Sequence, residues 1–248
     1  LKNRMFQDSG TLTLLLNTLL ILVLAALLLL TAVLATLLLV SFDESYYEAH
    51  YVARERPDAT GLPLSELMRA TKQLHEYLKG AAPTANLAVI ALDGTESLLY
   101  SEREVLHLAD VQGLFLLAKK VLVLLGVATS ILLLALLALD SSLALTVTAW
   151  ASLCAAGLLT LVGLVVASGF SGWFTSFHEV FFNNDLWLLE PSKHKLIQMF
   201  PEPFFAAVAS RIAAVVMAVL VASGVLAAGG TLLLAPARER DEIFTISS

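Results

Sequence analysis

Two passages of this 248-residue chain hold the side chains best suited to moving protons. One is EVLHLADV, with His107. The other is FHEVFFNNDLWLLEPSKHKLIQMFPEPFF, residues 177–205, with His178. Histidine titrates near neutral pH, so a pair can divide base and acid roles between them. A single histidine at such a place reads more simply as an interfacial or hydrogen-bonded side chain. The second passage also carries Glu179, Asn184, Asp185, Trp187, Glu190 and Glu202, yet lies between two long apolar runs. Ionisable groups at the edge of a membrane segment are costly and mark function.

Other chemistries fit less well. His178-Glu179 begins the zinc-protease pattern HExxH, but its fifth position is Phe182. A metal held by His107, Asp110 and His178 is geometrically open, but rests on scattered ligands; the expectation is no metal and no cofactor. There is no G-x-S-x-G, and Ser171 and Ser176 read as helix caps. The single cysteine, Cys154, excludes an internal disulfide and reads as a small buried side chain.

The elements that must position these groups are membrane helices. The chain is 58% hydrophobic and 15% charged, far from a soluble domain. A net charge of −6, with no dense basic stripe, argues against nucleic acid. Four apolar runs exceed the length needed to cross a bilayer: residues 11–40, 113–139, 143–170 and 204–235. The first is too long for a signal-peptide core and reads as a retained helix. The expected fold is an α-helical membrane protein of four transmembrane helices with a small extracellular α+β segment. Lys2, Arg4, Arg238 and Arg240 place residues 1–10 and 236–248 in the cytoplasm. Segments 41–112 and 171–203 then face outward together, bringing His107 and His178 into one layer.

Within the first outward segment, Tyr46, Tyr47 and Tyr51 read as headgroup anchors. Pro63 opens an amphipathic helix with Leu64, Leu67, Met68, Leu74 and Leu78 on one face, closed by Gly80. Two short strands meet around Asp93-Gly94. Ser101 and Glu104 form a capping box for a helix that carries His107 and continues into the second span. His107 and Asp110 share a face of it. Trp173, Trp187, Phe177, Phe181, Phe182, Phe200, Phe204 and Phe205 suit either an interface belt or an acyl-chain slot. Glu202 falls in the first turn of the fourth span, where a carboxylate is favoured. Arg211, deeper in that span, needs a partner or must snorkel. Ser223/Ala227 and Gly224/Ala228 suit close helix packing.

The two histidine passages and the four-span layout resemble the bacterial integral-membrane family of the lipoprotein intramolecular transacylase Lit. The resemblance spans nearly the whole chain by layout. His194 departs from it, since an acidic residue is expected before the Leu196-Ile197 pair. It implies an enzyme that moves the sn-2 acyl chain of a diacylglyceryl-modified lipoprotein cysteine onto that cysteine's α-amine, giving a lyso-form lipoprotein. The family's essential histidines would fall on His107 and His178, with Asp110 orienting His107. Asn184, Asp185, Trp187, Glu202 and Arg211 are supporting candidates. Expected partners are diacylglyceryl-modified lipoproteins and membrane lipids, at the outer leaflet of the bacterial cell membrane; oligomeric state is open. Two other classes compete: a membrane hydrolase or peptidase using the same histidines on water, and a non-catalytic assembly partner that would tolerate their loss.

Overall fold

Long leucine-rich runs satisfy every backbone group within the helix and leave apolar side chains pointing outward, which only a bilayer tolerates. The computed structural model describes residues 2–246, with side chains for 10–234. The order is α1 (Lys2–Val40), α2 (Glu44–Ala53), α3 (Arg56–Thr60), α4 (Leu64–Leu78), β1 (Ala88–Ile90), β2 (Glu96–Leu98), α5 (Glu102–Leu139), α6 (Ser141–Ser168), α7 (Phe170–Phe181), α8 (Lys195–Met199) and α9 (Glu202–Ile246). Among the described residues, four stretches are long and apolar enough to cross a membrane: Gly10–Val40, Glu102–Leu139, Ser141–Ser168 and Glu202–Leu234. The basic side chains used to orient the chain, those of Lys2, Arg4, Arg238 and Arg240, lie outside the range of described side chains.

The chain divides into two compact units. One comprises the first helix up to Ala35, Leu122–Leu164, and the last helix from Ala213. Its contacts are those of membrane helices. Thr31 and Thr129 hydroxyls meet at 3.3 Å, and Ser152 and Ser223 hydroxyls at 2.8 Å. A Cβ placed on Gly224 would stand 3.2 Å from the Ser152 Cβ, so α6 and α9 approach through the expected small residues. Cys154 is exposed on α6, not buried as expected; only one side of that helix packs, and Cys154 is not on it.

The other unit comprises Thr36–Val121 and Val165–Ile212 and contains every candidate site residue. The expected helix over 64–78 is present, with Pro63 before it and Gly80 at φ 81° behind it. It buries Leu67, Ala70, Leu74 and Leu78 in an aromatic core. The hairpin pairs Ala88 with Leu98 and Ile90 with Glu96, and Gly94 at φ 84° supplies the left-handed turn residue.

Two expectations fail in this unit. Tyr47 and Tyr51 are core residues rather than headgroup anchors, 9% and 0% exposed. Tyr51 Oη and Thr71 Oγ1 lie 2.6 Å apart, and Tyr47 Oη donates to the Ser41 carbonyl at 2.9 Å. Buried hydroxyls with such partners stabilise the core instead of seeking water. Residues 171–203, read as a loop, also contain helix: α7 up to Phe181, and α8.

Candidate active site

His107 is placed by the start of α5. Ser101 donates to Glu104 Oε2 from its backbone N–H at 2.8 Å and from Oγ at 2.7 Å, completing the expected capping box. The other carboxylate oxygen, Oε1, accepts the backbone N–H of Leu196 in α8 at 2.7 Å. Glu104 is 1% exposed, so this carboxylate is an interior clamp between α5 and α8. His107 follows three residues later on the same face.

His178 is placed by α7. Phe170, Phe174 and His178 recur every fourth residue and form one stripe, with Phe170–Phe174 centroids 6.0 Å apart and Phe174–His178 centroids 4.5 Å apart. His178 Nδ1 lies 2.6 Å from the Phe174 carbonyl. A carbonyl only accepts, so Nδ1 carries the hydrogen, and Nε2 of the neutral ring keeps its lone pair. Burial holds the His178 pKa below 6.5, opposed by that carbonyl bond. Trp187 stacks on the imidazole, with centroids 4.9 Å apart and planes at 29°.

The two imidazoles come together. Their centroids are 6.1 Å apart, and both are buried, at 6% for His107 and 8% for His178. Phe182 touches both rings, 5.2 Å from His107 and 5.5 Å from His178. His107 Nδ1 is buried without a hydrogen-bond partner among the described residues, and a buried polar atom left so calls for an explanation.

The other candidates separate into three groups. Asp110 does not bond His107; its Oδ2 accepts from Asn184 Nδ2 at 2.9 Å. Asn184 Oδ1 accepts from the Leu186 N–H at 3.0 Å, so this amide shapes the turn that presents Trp187. Asp185 joins through its backbone carbonyl, which accepts from Arg103, while its side chain is exposed. Glu202 accepts from Ser171 Oγ at 2.6 Å, tying α7 to the start of α9. Arg211 has the partner its depth demanded: Asp43 at 2.6 Å, with the guanidinium 4.8 Å above the Tyr46 ring. His194 accepts the Glu190 N–H through Nδ1 at 2.7 Å, a turn contact. Among the described residues no group of three His, Cys, Asp or Glu is placed to hold a metal ion.

Residues 20–205 match the family described as lipoprotein intramolecular transacylase Lit. The chain belongs to this family. It is therefore a membrane acyltransferase by family, of the lipoprotein intramolecular transacylase type. No curated protein sequence matches it. Its fold is that of solved structures of the membrane integral lipoprotein intramolecular transacylase Lit from Bacillus cereus. One such structure has 20% identity and a TM-score of 0.69, covering 91% of this chain and 98% of that one. A form of the same Bacillus cereus protein with a histidine mutation gives 20% and 0.69, over 95% and 99% of the two chains.

Sequence reasoning missed Glu104 as an interhelical clamp, Phe174 as the acceptor for His178, and Asp43 as the partner of Arg211. The capping box marked Glu104, but nothing local announces its bond to Leu196. The four-residue spacing of Phe170, Phe174 and His178 was the available signal for α7.

Proposed function

We propose that the paired histidines carry an intramolecular O-to-N acyl transfer on a diacylglyceryl-modified lipoprotein cysteine. The observation that carries this reading is the 6.1 Å pairing of two buried imidazoles, one already held as the Nδ1–H tautomer by the Phe174 carbonyl. His178 Nε2 takes a proton from the cysteine α-amine as its nitrogen attacks the sn-2 ester carbonyl. The C–N bond forms and a tetrahedral oxyanion results. His107, whose Nδ1 has no partner among the described residues, donates to that oxyanion. The C–O bond then breaks, and the proton on His178 passes to the departing sn-2 oxygen. An ester and an amine become an amide and an alcohol, with no water consumed.

The surroundings favour transfer over hydrolysis. Phe174, Phe182 and Trp187 close around His178 and exclude water. Holding amine and ester in one orientation supplies roughly 7 to 11 kcal/mol of the barrier. Trp187 and the Asp110–Asn184 pair keep the base in place. The exposed rings of Phe177 and Phe181 suit the acyl chain.

The segments 41–112 and 171–203 face the outer leaflet, and the termini the cytoplasm. The basic residues near both termini support this orientation. Substrates are diacylglyceryl lipoproteins presented from the membrane.

The test is a synthetic lipopeptide with a free cysteine amine and an isotope-labelled sn-2 acyl chain, offered to the purified protein in vesicles. Total mass stays constant while the amine loses its reactivity towards an acylating reagent. Release of the labelled fatty acid with the amine still reactive would identify a hydrolase instead.

A further inference from the structure

A cavity flanked by two arginines lies away from the histidine pair, within the same unit. It has a volume of about 340 Å³ and lies between the end of α2 and the beginning of α9. Its polar lining holds two cations, Arg54 and Arg56, beside His50 and Tyr46. Its apolar lining includes Pro203 and Phe204. Phe204 contacts His50 at 4.7 Å on one side and Phe205 at 5.4 Å on the other. Phe205 in turn contacts Phe174 at 5.2 Å, so phenyl rings stand between this cavity and His178.

Three observations define what would fit. First, no carboxylate lines the cavity, and the Arg54 guanidinium makes no ion pair among the described residues. Second, Arg56 spends donors on the carbonyls of Arg54 at 2.9 Å and Gln198 at 3.4 Å, which fixes its fork at the cavity wall. Third, His50 Nε2 is buried without a partner. Burial lowers the His50 pKa, and Arg56 and Arg54 add to that lowering against a backbone hydrogen bond at Met199 that raises it, in keeping with a positive field at the cavity wall.

Depth adds the rest. The walls are α2, which begins four residues after α1 ends at Val40, and the opening turns of the span Glu202–Leu234. Both places are where a membrane helix leaves or enters the apolar layer, the level of lipid headgroups. Arginine is suited to phosphate there because its planar fork presents several donors at once.

We propose that this cavity binds the phosphate of an anionic glycerophospholipid, with Arg54 and Arg56 gripping the phosphate oxygens and Phe204 and Pro203 lining the glycerol and first acyl carbons. It is a lipid site separate from the substrate's, and it stands whether or not the histidines do the chemistry proposed above. The bound lipid covers the exposed arginine charge and holds α2 against α9.

Native mass spectrometry of the full chain in neutral detergent tests this, with phosphatidylglycerol, phosphatidylcholine and inorganic phosphate as separate probes. Phosphatidylglycerol is retained, and Arg54→Gln weakens its retention by about tenfold, the loss of one charge-assisted contact. The Arg54 side chain makes no hydrogen bond or ion pair among the described residues, and the lipid-free unfolding midpoint of that variant is the control. Arg56→Gln acts in the same direction. Equal retention of phosphatidylglycerol by the wild type and Arg54→Gln would overturn the site. Equal retention of phosphatidylcholine would overturn its anionic selectivity. Protection by inorganic phosphate as strong as by lipid would overturn the lipid assignment in favour of a soluble phosphate.

Discussion

Glu104→Ala removes a carboxylate that accepts three hydrogen bonds at 2.7 to 2.8 Å in a 1% exposed position. Two effects add. Loss of the cap on α5 costs about 1 kcal/mol. The Leu196 N–H, left in the interior without an acceptor, costs about 2 kcal/mol more. A loss of about 3 kcal/mol lowers the unfolding midpoint by roughly 6 to 12 °C for a chain of this size. Glu104→Gln keeps one acceptor oxygen but turns an amide N–H₂ towards donors, so it falls between. Thermal unfolding in neutral detergent measures the shift, and lipopeptide conversion well below the midpoint measures the consequence. His107 lies one turn along the same helix, so conversion falls along with stability. A midpoint drop under about 4 °C would refute the interior clamp, because loss of the cap alone accounts for roughly 2 to 4 °C.

Other outcomes follow from the same geometry. Burial lowers the His178 pKa beneath 6.5; the base works in its neutral form, so its own titration depresses conversion only below pH 6.5, while the substrate α-amine, titrating at about 7.7 to 8, governs the climb above that. A rate that still climbs from pH 6.5 to 8 after division by the fraction of free amine would contradict this. His75, 1% exposed between Phe42 and Tyr47 with neither ring nitrogen bonded, has its pKa pushed down to about 4 by burial, with Lys79 adding to it. The unfolded chain gains that proton first, so His75 costs stability as pH falls from 6.5 towards 4, by about 3 kcal/mol. His75→Phe keeps the packing and removes this acid sensitivity, which unfolding midpoints at pH 5 and pH 8 would show; an unchanged difference between the two would be the contrary result. Asn184→Leu breaks the bond to Asp110 and releases the turn before Trp187. It lowers kcat by about tenfold or more with a smaller change in KM, while Asp185→Asn, altering only an exposed side chain, leaves both near wild type.

Local pattern carried much of the architecture. Leucine runs marked the four candidate membrane helices because backbone satisfaction in lipid leaves few other solutions. Asp93-Gly94 marked the hairpin because few residue pairs tolerate its turn, and Ser101-x-x-Glu104 marked the start of α5. The failures share a cause: the deciding partner is distant in sequence. Tyr51 is buried because Thr71, twenty residues on, receives its hydroxyl, and no feature of SFDESYYEAHY says so. Asp110 looked like a partner for His107 by helical spacing, yet Asn184 takes its carboxylate across 74 residues. Arg211 announced the need for a counter-charge but not that Asp43 supplies it. The pairing of His107 with His178 was expected only as a shared layer; the ring stacking by Trp187 and the tautomer fixed by Phe174 required α7 to be a helix.

The most direct test of the account is fragmentation mass spectrometry of a reporter lipoprotein's N-terminal peptide, from a host without N-acylation, with the wild type, His178→Ala and His107→Ala. Substrate and product are isomers, so fragment ions must locate the acyl group. The account predicts acyl on the cysteine nitrogen with the wild type. Each variant, inserted and folded, leaves it on the sn-2 oxygen. Full transfer by either histidine variant would contradict the central claim.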